Sequence, residues 1–176
     1  LAQNIAALTY GNLTLTTPSG TTTYTRSLSG SVIIAGSLTV NSYNTISIGS
    51  NALTLGLTTA PSGADGKIIM GTTSATISGG SSSNIVFNDN SNNDAATTSL
   101  PAVTNGLNNL TIERTNTIAL SGNNTIYGVL YMNKGYLDIA NRTLALNGTI
   151  ENSTTPAKLF SSTSTGVLTL AGTAGG

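Results

Sequence analysis

The chain has 176 residues, of which 38% are hydrophobic and only 5% aromatic, with no Trp, so its core must consist of Val, Ile, Leu and Ala. Only 7% of the residues are charged, and six basic residues balance six acidic ones. This balance excludes long-range attraction to nucleic acid or to an anionic membrane, and no apolar run approaches the roughly 20 residues that span a bilayer. The chain contains no Cys and no His, which excludes a disulfide scaffold, a thiolate metal site and a Ser-His-Asp triad.

The commonest residue types indicate short strands joined by tight corners. The chain contains 31 Thr, 21 Ser, 20 Asn and 20 Gly, which together make up about half of it. Thr, Val and Ile favour strands, because a side chain branched at Cβ is stiff and packs well on a pleated sheet. Asn and Gly tolerate the positive φ angles of tight turns. The composition therefore predicts an all-β protein.

Alternating apolar residues predict individual strands along the chain. This period of two is typical of a strand with one buried side, and no stretch shows a convincing helical period. The segment from Asn92 to Ala102 contains two adjacent Ala and a Pro, and it is predicted to be a loop. The clearest strand segments are Leu13–Thr16, Ile46–Ile48, Leu53–Leu55, Leu144–Leu146 and Leu168–Leu170.

An internal duplication runs through most of the chain. The tripeptide Leu-Ser-Gly at 28–30 recurs at 120–122, an offset of 120 − 28 = 92. The Leu-Thr-Leu at 53–55 matches Leu-Ala-Leu at 144–146, an offset of 144 − 53 = 91. Further matches follow in the same order. The sequence therefore predicts two β repeats, 1–80 and 81–176, with one continuous solenoid as the alternative arrangement.

Short strands separated by Gly and Asn corners are compatible with two architectures. Stacked coils of a β-solenoid repeat strand and corner in this way. A tandem pair of β-sandwiches would also place a strand every 8–12 residues or so, but sandwich cores usually contain aromatic residues, which are scarce here. A β-solenoid is the favoured prediction, and the tandem β-sandwich is the alternative.

One acidic and amide-rich segment has the composition of a calcium site. Asp89 and Asp94 flank a run of Asn and Ser between residues 88 and 94, and Ca²⁺ prefers oxygen ligands at alternating positions. The segment lacks the Gly turn and the closing Glu of an EF-hand loop. A hydrophilic surface loop, whose Asn and Asp residues cap their own turns, explains the same residues. Ca²⁺ is the only cofactor that the sequence suggests, with Asp89 and Asp94 as its ligands.

No catalytic residue can be identified, and the chain is predicted not to be an enzyme. The acids in one half have no acidic counterpart in the other, so the duplication supports no catalytic pair of the kind that glycoside hydrolysis needs. The six Lys and Arg residues are scattered, and we expect them to be solvated at the corners. A carbohydrate-binding or polysaccharide-degrading β-helix remains the alternative function. The residues concerned are Asp65, Asp89, Asp94, Glu113, Asp138 and Glu151 and Arg26, Lys67, Arg114, Lys134, Arg142 and Lys158.

Three surface patterns in the sequence bear on binding. The Thr clusters at 21–23, 58–59 and 72–73 suggest an ice-binding ladder, but their starts lie 37 and 14 residues apart, so outward Thr on solvated strands is favoured. Tyr127, Tyr131 and Tyr136 are close in sequence, and packing at a coil edge is favoured over a platform for sugars. Asn-X-Ser/Thr sequons, which matter only where N-glycosylation occurs, begin at residues 12, 109, 123, 141, 147 and 152.

The second half of the chain resembles the low-charge repeats of very large secreted surface proteins of Bacteroidota. The resemblance rests on residues 106–112, 120–128 and 137–148. The similar proteins are adhesins, some linked to gliding motility and exported by the type IX system. The resemblance implies a structural repeat in a cell-surface stalk or fibre, located outside the cell. Its implied partners are copies of itself, neighbouring repeats of the same chain, and surface glycans. We expect the chain to be a processed protein or a segment of a longer one.

Overall fold

The protein is an all-parallel β-solenoid. The computed structural model describes residues 3–17, 20–57, 66–88, 97–153 and 157–171, and within these ranges it contains strands but no helix. The strands are β1 (Gln3–Ile5), β2 (Thr9–Tyr10), β3 (Leu13–Leu15), β4 (Tyr24–Leu28), β5 (Val32–Ile34), β6 (Ser37–Val40), β7 (Asn44–Ser47), β8 (Ala52–Leu55), β9 (Lys67–Met70), β10 (Thr76–Asn88), β11 (Thr97–Leu100), β12 (Val103–Glu113), β13 (Thr117–Leu120), β14 (Asn124–Ile126), β15 (Val129–Met132), β16 (Tyr136–Asp138), β17 (Thr143–Leu146), β18 (Thr149–Asn152), β19 (Lys158–Phe160) and β20 (Val167–Leu170).

The strands stack into three faces, and the chain visits the faces in turn. Face 1 has the order β1-β4-β7-β10-β12-β14-β17-β20. Face 2 contains β2, β5, β8, the second halves of β10 and β12, β15 and β18, so the long strands β10 and β12 bend from face 1 into face 2. Face 3 contains β3-β6-β9 and β11-β13-β16-β19. This parallel stacking confirms the β-solenoid and contradicts the β-sandwich, whose sheets are antiparallel.

Aligned columns of aliphatic side chains form the core. On face 2, the register joins Val32, Leu53, Ile85, Leu110 and Leu130, one from each successive coil. All five are completely buried. Every second residue of a strand points inward, so the alternation visible in the sequence is the packing rule of the fold. The predicted strand segments are confirmed as β3, β7, β8, β17 and β20.

The structural repeat is one coil of about 20 residues, with longer coils where the chain has insertions. Paired residues Thr25 and Thr45 are 45 − 25 = 20 positions apart, whereas Thr45 and Thr76 are 76 − 45 = 31 apart. The predicted boundary at 80/81 falls inside β10, which pairs with strands on both sides. Segments matched at offsets of 91 and 92 often lie on different faces. Leu28 ends β4 on face 1 and Leu120 ends β13 on face 3.

One predicted loop contains a strand. Thr97–Leu100 forms β11, so the prediction of a loop over Asn92–Ala102 is wrong for this part. β11 pairs with β13 over its whole length, and Leu100 is completely buried. Tertiary pairing overrides the weak local preference of an Ala- and Pro-containing segment, as β propensity depends on context.

Asparagine side chains join one coil to the next. The carboxamide oxygens of Asn12, Asn109 and Asn123 each accept a hydrogen bond from the backbone N–H of the residue that follows in register one coil later, at 2.7, 2.7 and 2.9 Å. These three residues begin sequons. Because the bonds satisfy backbone amides beside a corner, the Asn residues contribute to the stacking itself.

Candidate functional site

The predicted calcium ligands Asp89 and Asp94 lie outside the described residues, so calcium binding there stays a prediction. Within the described ranges, no three His, Cys, Asp or Glu side chains are grouped so that they could hold a metal ion. Glu113 and Glu151 lie on face 2, separated by the intervening strand β15, and Asp138 lies on face 3. The structure therefore brings no described pair of these three acids together.

Two of the arginines are not the solvated corner charges that the sequence predicts. Arg114 lies at the corner after β12, but it is completely buried, and its guanidinium donates to the carbonyl oxygen of Gly66 at 2.9 Å. Arg26 occupies an inward position on β4, in register with the buried Ile46. Burial without a partner would be costly for a guanidinium, and both side chains have hydrogen-bond acceptors.

The tyrosines of the second half do not form one platform. Tyr127 follows β14 at the corner between faces 1 and 2, Tyr131 lies on face 2, and Tyr136 lies on face 3. Tyr136 packs edge-to-face against Phe160, with ring centroids 6.3 Å apart. The three tyrosines, which are close in sequence, therefore lie on different parts of the solenoid.

Asp138 stabilises the corners that follow β16 and β19 through hydrogen bonds to their backbone. It is only 7% exposed, and its Oδ1 accepts hydrogen bonds from the backbone amides of Ala140 and Ser162, both at 2.8 Å. Burial raises the pKa of this carboxyl, but hydrogen bonds from the Ser162 side chain and from the two amides lower it more. The resulting pKa lies below the ordinary value of 3.8.

The lowered pKa of Asp138 predicts an acid-sensitive contribution to stability. Because the folded state favours the carboxylate, the stability that Asp138 contributes is fully present above pH 3.8 and is lost as the pH falls through the lowered pKa. Asp138→Asn keeps the side-chain shape but removes the titration, so we expect a weaker loss of stability below about pH 4. Urea unfolding of both proteins across this range measures the difference. An unchanged pH dependence in the variant would contradict this role.

The first two coils carry polar groups at the N-terminal end of the solenoid. The Arg26 guanidinium donates from Nε to Gln3 Oε1 at 3.0 Å, from Nη2 to the Thr16 carbonyl oxygen at 2.6 Å, and from Nη1 to the Asn44 carboxamide oxygen. Tyr10, an inward residue in register with Ile34, donates from its hydroxyl to the carbonyl oxygen of Ala6 at 3.1 Å. Ile5 is only 7% exposed in the first coil. Polar side chains therefore cover part of the core at the N-terminal end of the solenoid, while the described strands β1, β2 and β3 each pair with a strand on one side only.

The opposite end of the solenoid is open, and we call it the C-terminal end face. It consists of the inward side chains of Ile150, Leu168 and Leu170 and the free edges of β18, β19 and β20. The register places these residues directly after Leu130, Leu144 and Leu146, which are 0–2% exposed. Ile150, Leu168 and Leu170 are 45%, 40% and 66% exposed. The same core positions are therefore buried in one coil and uncovered in the next.

The strand edges of the C-terminal end face are also unpaired. Within the described part of the chain, β18, β19 and β20 each pair with a strand on one side only. Such an edge presents a row of backbone N–H and C=O groups that can extend a sheet. Apolar core positions and open backbone groups coincide here, so this end face is the candidate functional site. The alternation of Leu168–Leu170 predicted the strand, but only the register with β17 shows that these side chains occupy core positions of the stack.

Comparisons of the chain with protein-family models, with curated proteins and with solved structures find no match. No helix that could cross a membrane occurs in the described ranges. The functional argument for this chain therefore rests on its own geometry.

Proposed function

We propose that the chain is a structural repeat module of a secreted cell-surface adhesin or extracellular filament, and that it stacks on further coils through its C-terminal end face. The observation that carries this proposal is the exposure of Leu168 and Leu170 at core positions. A single apolar side chain on a surface is ordinary. Three exposed core positions on two faces, bordered by open strand edges, form a surface suited to a further coil.

A further coil would cover the apolar side chains of the end face and also pair with its open strand edges. Its inward side chains would cover Ile150, Leu168 and Leu170, and completing the burial of each of these half-exposed side chains stabilises by about 1 kcal/mol, roughly half of the value for full burial. Its backbone would continue the parallel ladders of β18, β19 and β20. The added coil can belong to a neighbouring repeat of the same chain or to a second copy. Head-to-tail stacking of copies is a heterologous contact, which produces a filament when it does not close.

The low charge supports the same function. Six basic and six acidic residues give a formal net charge of zero, so copies of the chain experience little mutual repulsion. The resemblance to surface repeats of Bacteroidota supports the extracellular location and the role in adhesion. Both remain part of the proposal.

We expect the purified chain to associate with rising concentration, and Leu168→Lys to abolish this association, because a charge at a core position cannot be covered by an apolar coil. Sedimentation equilibrium measures the effect, and electron microscopy shows whether the assemblies are filaments. Thr111→Lys adds the same charge at an outward position on face 2, and it should leave association unchanged. Since Leu168 is exposed in the single chain, the variant should fold, which circular dichroism verifies.

A tandem fusion tests the version in which the next coil belongs to the same chain. In a fusion of two copies joined head-to-tail, we expect the amides of β20 in the first copy to exchange more slowly than in the single chain. Equal exchange rates, together with a monomeric wild-type chain at all concentrations, would overturn stacking through this end face.

A further inference from the structure

Face 1 carries a regular set of hydroxyl groups, which we call the hydroxyl array. It consists of Thr25 and Ser27 on β4, Thr45 and Ser47 on β7, and Thr76 and Ser78 on β10. Each strand thus contributes the same Thr-X-Ser pattern. The middle residue points inward, and Ile46 and Ile77 at this position are completely buried. The two hydroxyl residues of each strand therefore point outward.

The register aligns these hydroxyl residues into two columns. One column joins Thr25, Thr45 and Thr76. The other joins Ser27, Ser47 and Ser78, and it continues to Thr104 on β12. Neighbouring positions repeat at roughly 4.7–4.9 Å across strands and roughly 6.6–6.8 Å along them, as strand geometry requires. The array is therefore a two-dimensional grid.

The sequence hides this grid because the coils differ in length. Thr25 and Thr45 are 20 positions apart, but Thr45 and Thr76 are 31 apart, and the longer coil absorbs the difference away from face 1. The Thr clusters that the sequence suggested for a ladder do not supply the grid. Residues 21–23 and 72–73 lie at corners, and residues 58–59 lie outside the described ranges.

The charged residues on the described strands do not project from this grid, and Arg26, the middle residue of the repeat on β4, points inward in register with Ile46. Lys67 and Lys158 lie on strands of face 3, and Glu113 and Glu151 lie on strands of face 2. Within the described ranges, no ionisable side chain projects outward from a strand of face 1. A charged group would hold its own hydration shell and disturb any regular layer of water. The exclusion of charge from one face is independent of the Thr-X-Ser repeat.

One pair of hydroxyl groups in the array is held in place by a mutual hydrogen bond. The Oγ1 atoms of Thr45 and Thr76 are hydrogen-bonded to each other at 2.5 Å, so at least this pair has a defined orientation. Each hydroxyl can still donate or accept toward solvent. The backbone beneath is fixed by parallel ladders and a buried core, so little conformational entropy would be lost when a ligand binds.

We propose that the hydroxyl array binds ice, by fixing a layer of water molecules in a pattern that continues the oxygen lattice of the crystal. The grid matches the chemistry of a water lattice in three respects. It is periodic along and across the strands, it is uncharged, and its hydroxyls keep hydrogen-bonding capacity beyond the bonds that members such as Ser78 and Thr104 already make within the protein. The strand spacing of roughly 4.7–4.9 Å is close to a repeat of the oxygen atoms in ice, and the methyl groups of the Thr column exclude disordered water beside its hydroxyls. This activity does not depend on stacking through the C-terminal end face.

The test compares Thr45→Tyr with Thr54→Tyr. Both threonines are half-buried outward residues in the same coil, but Thr45 lies in the array and Thr54 lies on face 2. We expect the wild-type chain to inhibit ice recrystallisation and to partition into growing ice. Thr45→Tyr should raise the concentration needed for half-maximal inhibition by about tenfold or more, a loss of ~1.4 kcal/mol, and Thr54→Tyr should not. Circular dichroism verifies that both variants fold.

A smaller change keeps the test decisive if Thr45→Tyr does not fold. Thr76→Val preserves the shape and removes one hydroxyl, and we expect weaker inhibition with an unchanged fold. The absence of inhibition by the folded wild-type chain would overturn the proposal. An equal loss in Thr54→Tyr and Thr45→Tyr would also overturn it, since the activity would then not belong to face 1.

Discussion

Asn124→Ala is expected to lower the free energy of unfolding by about 3 kcal/mol or more, because each buried polar group left without a partner costs about 1–3 kcal/mol. Asn124 is only 3% exposed at the corner between faces 3 and 1. Its Oδ1 accepts from the Val103 amide at 3.1 Å, and its Nδ2 donates to the carbonyl oxygens of Pro101 and Gly122 at 3.1 and 2.9 Å. One side chain thus satisfies three backbone groups in two successive coils.

Urea unfolding and hydrogen exchange at the Val103 amide measure this effect. Asn124→Asp keeps an acceptor for Val103 and removes both donors, so it separates the two kinds of bond. Asn147→Ala changes an exposed carboxamide at another corner and should shift stability by no more than about 0.5 kcal/mol. If Asn124→Ala were as stable as Asn147→Ala, the corner would not depend on this side chain.

Gly135→Ala is expected to destabilise the fold by about 2–4 kcal/mol, from left-handed backbone strain and overpacking together. Gly135 has a φ of +59°, a conformation that L side chains rarely adopt. A Cβ at this position would also overlap the carbonyl oxygen of Arg114 and lie 3.0 Å from the carbonyl carbon of Thr115. These atoms belong to the backbone of the preceding coil, so the two coils would have to separate.

Gly11→Ala is the matched control for this prediction. Gly11 lies at the same corner, between faces 2 and 3, and a Cβ there would meet no atom within 4 Å. We expect the stability of Gly11→Ala to stay near that of the wild type, or to rise slightly because the unfolded chain is less flexible. Thermal unfolding followed by circular dichroism compares the two variants. Equal unfolding midpoints for the two variants would show that the close contact between coils at Gly135 does not limit the stability of the fold.

Both variants test a property of stacked repeats. Each coil contacts only its neighbours, so stability is approximately a sum of coil and interface terms. Damage at Asn124 or Gly135 should therefore loosen the adjoining coils first, and probes in the first coils, such as Tyr10 and Tyr24, should respond later. The uncovered end at Leu168 and Leu170 should exchange fastest, since it lacks a second neighbour.

The corner asparagines carried a sequence signal that could have been recognised before the structure was known. The tripeptide Asn-Thr-Ile occurs at 44–46 and at 124–126, and in both places the Asn is a buried corner residue at the start of a strand of face 1. The same tripeptide at 116–118 leads into β13 on face 3. The pattern therefore predicts a strand with an Asn before it, but it does not predict the face.

The sequence by itself determined the all-β class and most of the strands with their inward aliphatic residues, and it favoured the β-solenoid, but it missed β11 and the inward Arg26 and buried Arg114. Alternation at Leu53–Leu55 and Leu144–Leu146 is a local property of the strand backbone, so it is visible without knowing any partner. Tertiary structure alone decided which strands share a face, because the insertions between Thr45 and Thr76 change the coil length without changing the register. The stacking of these strands buries Arg114, aligns Thr25 with Thr45, and leaves Leu168 and Leu170 uncovered. The functional surfaces of a solenoid arise from register between coils, and register depends on residues that are distant in the chain.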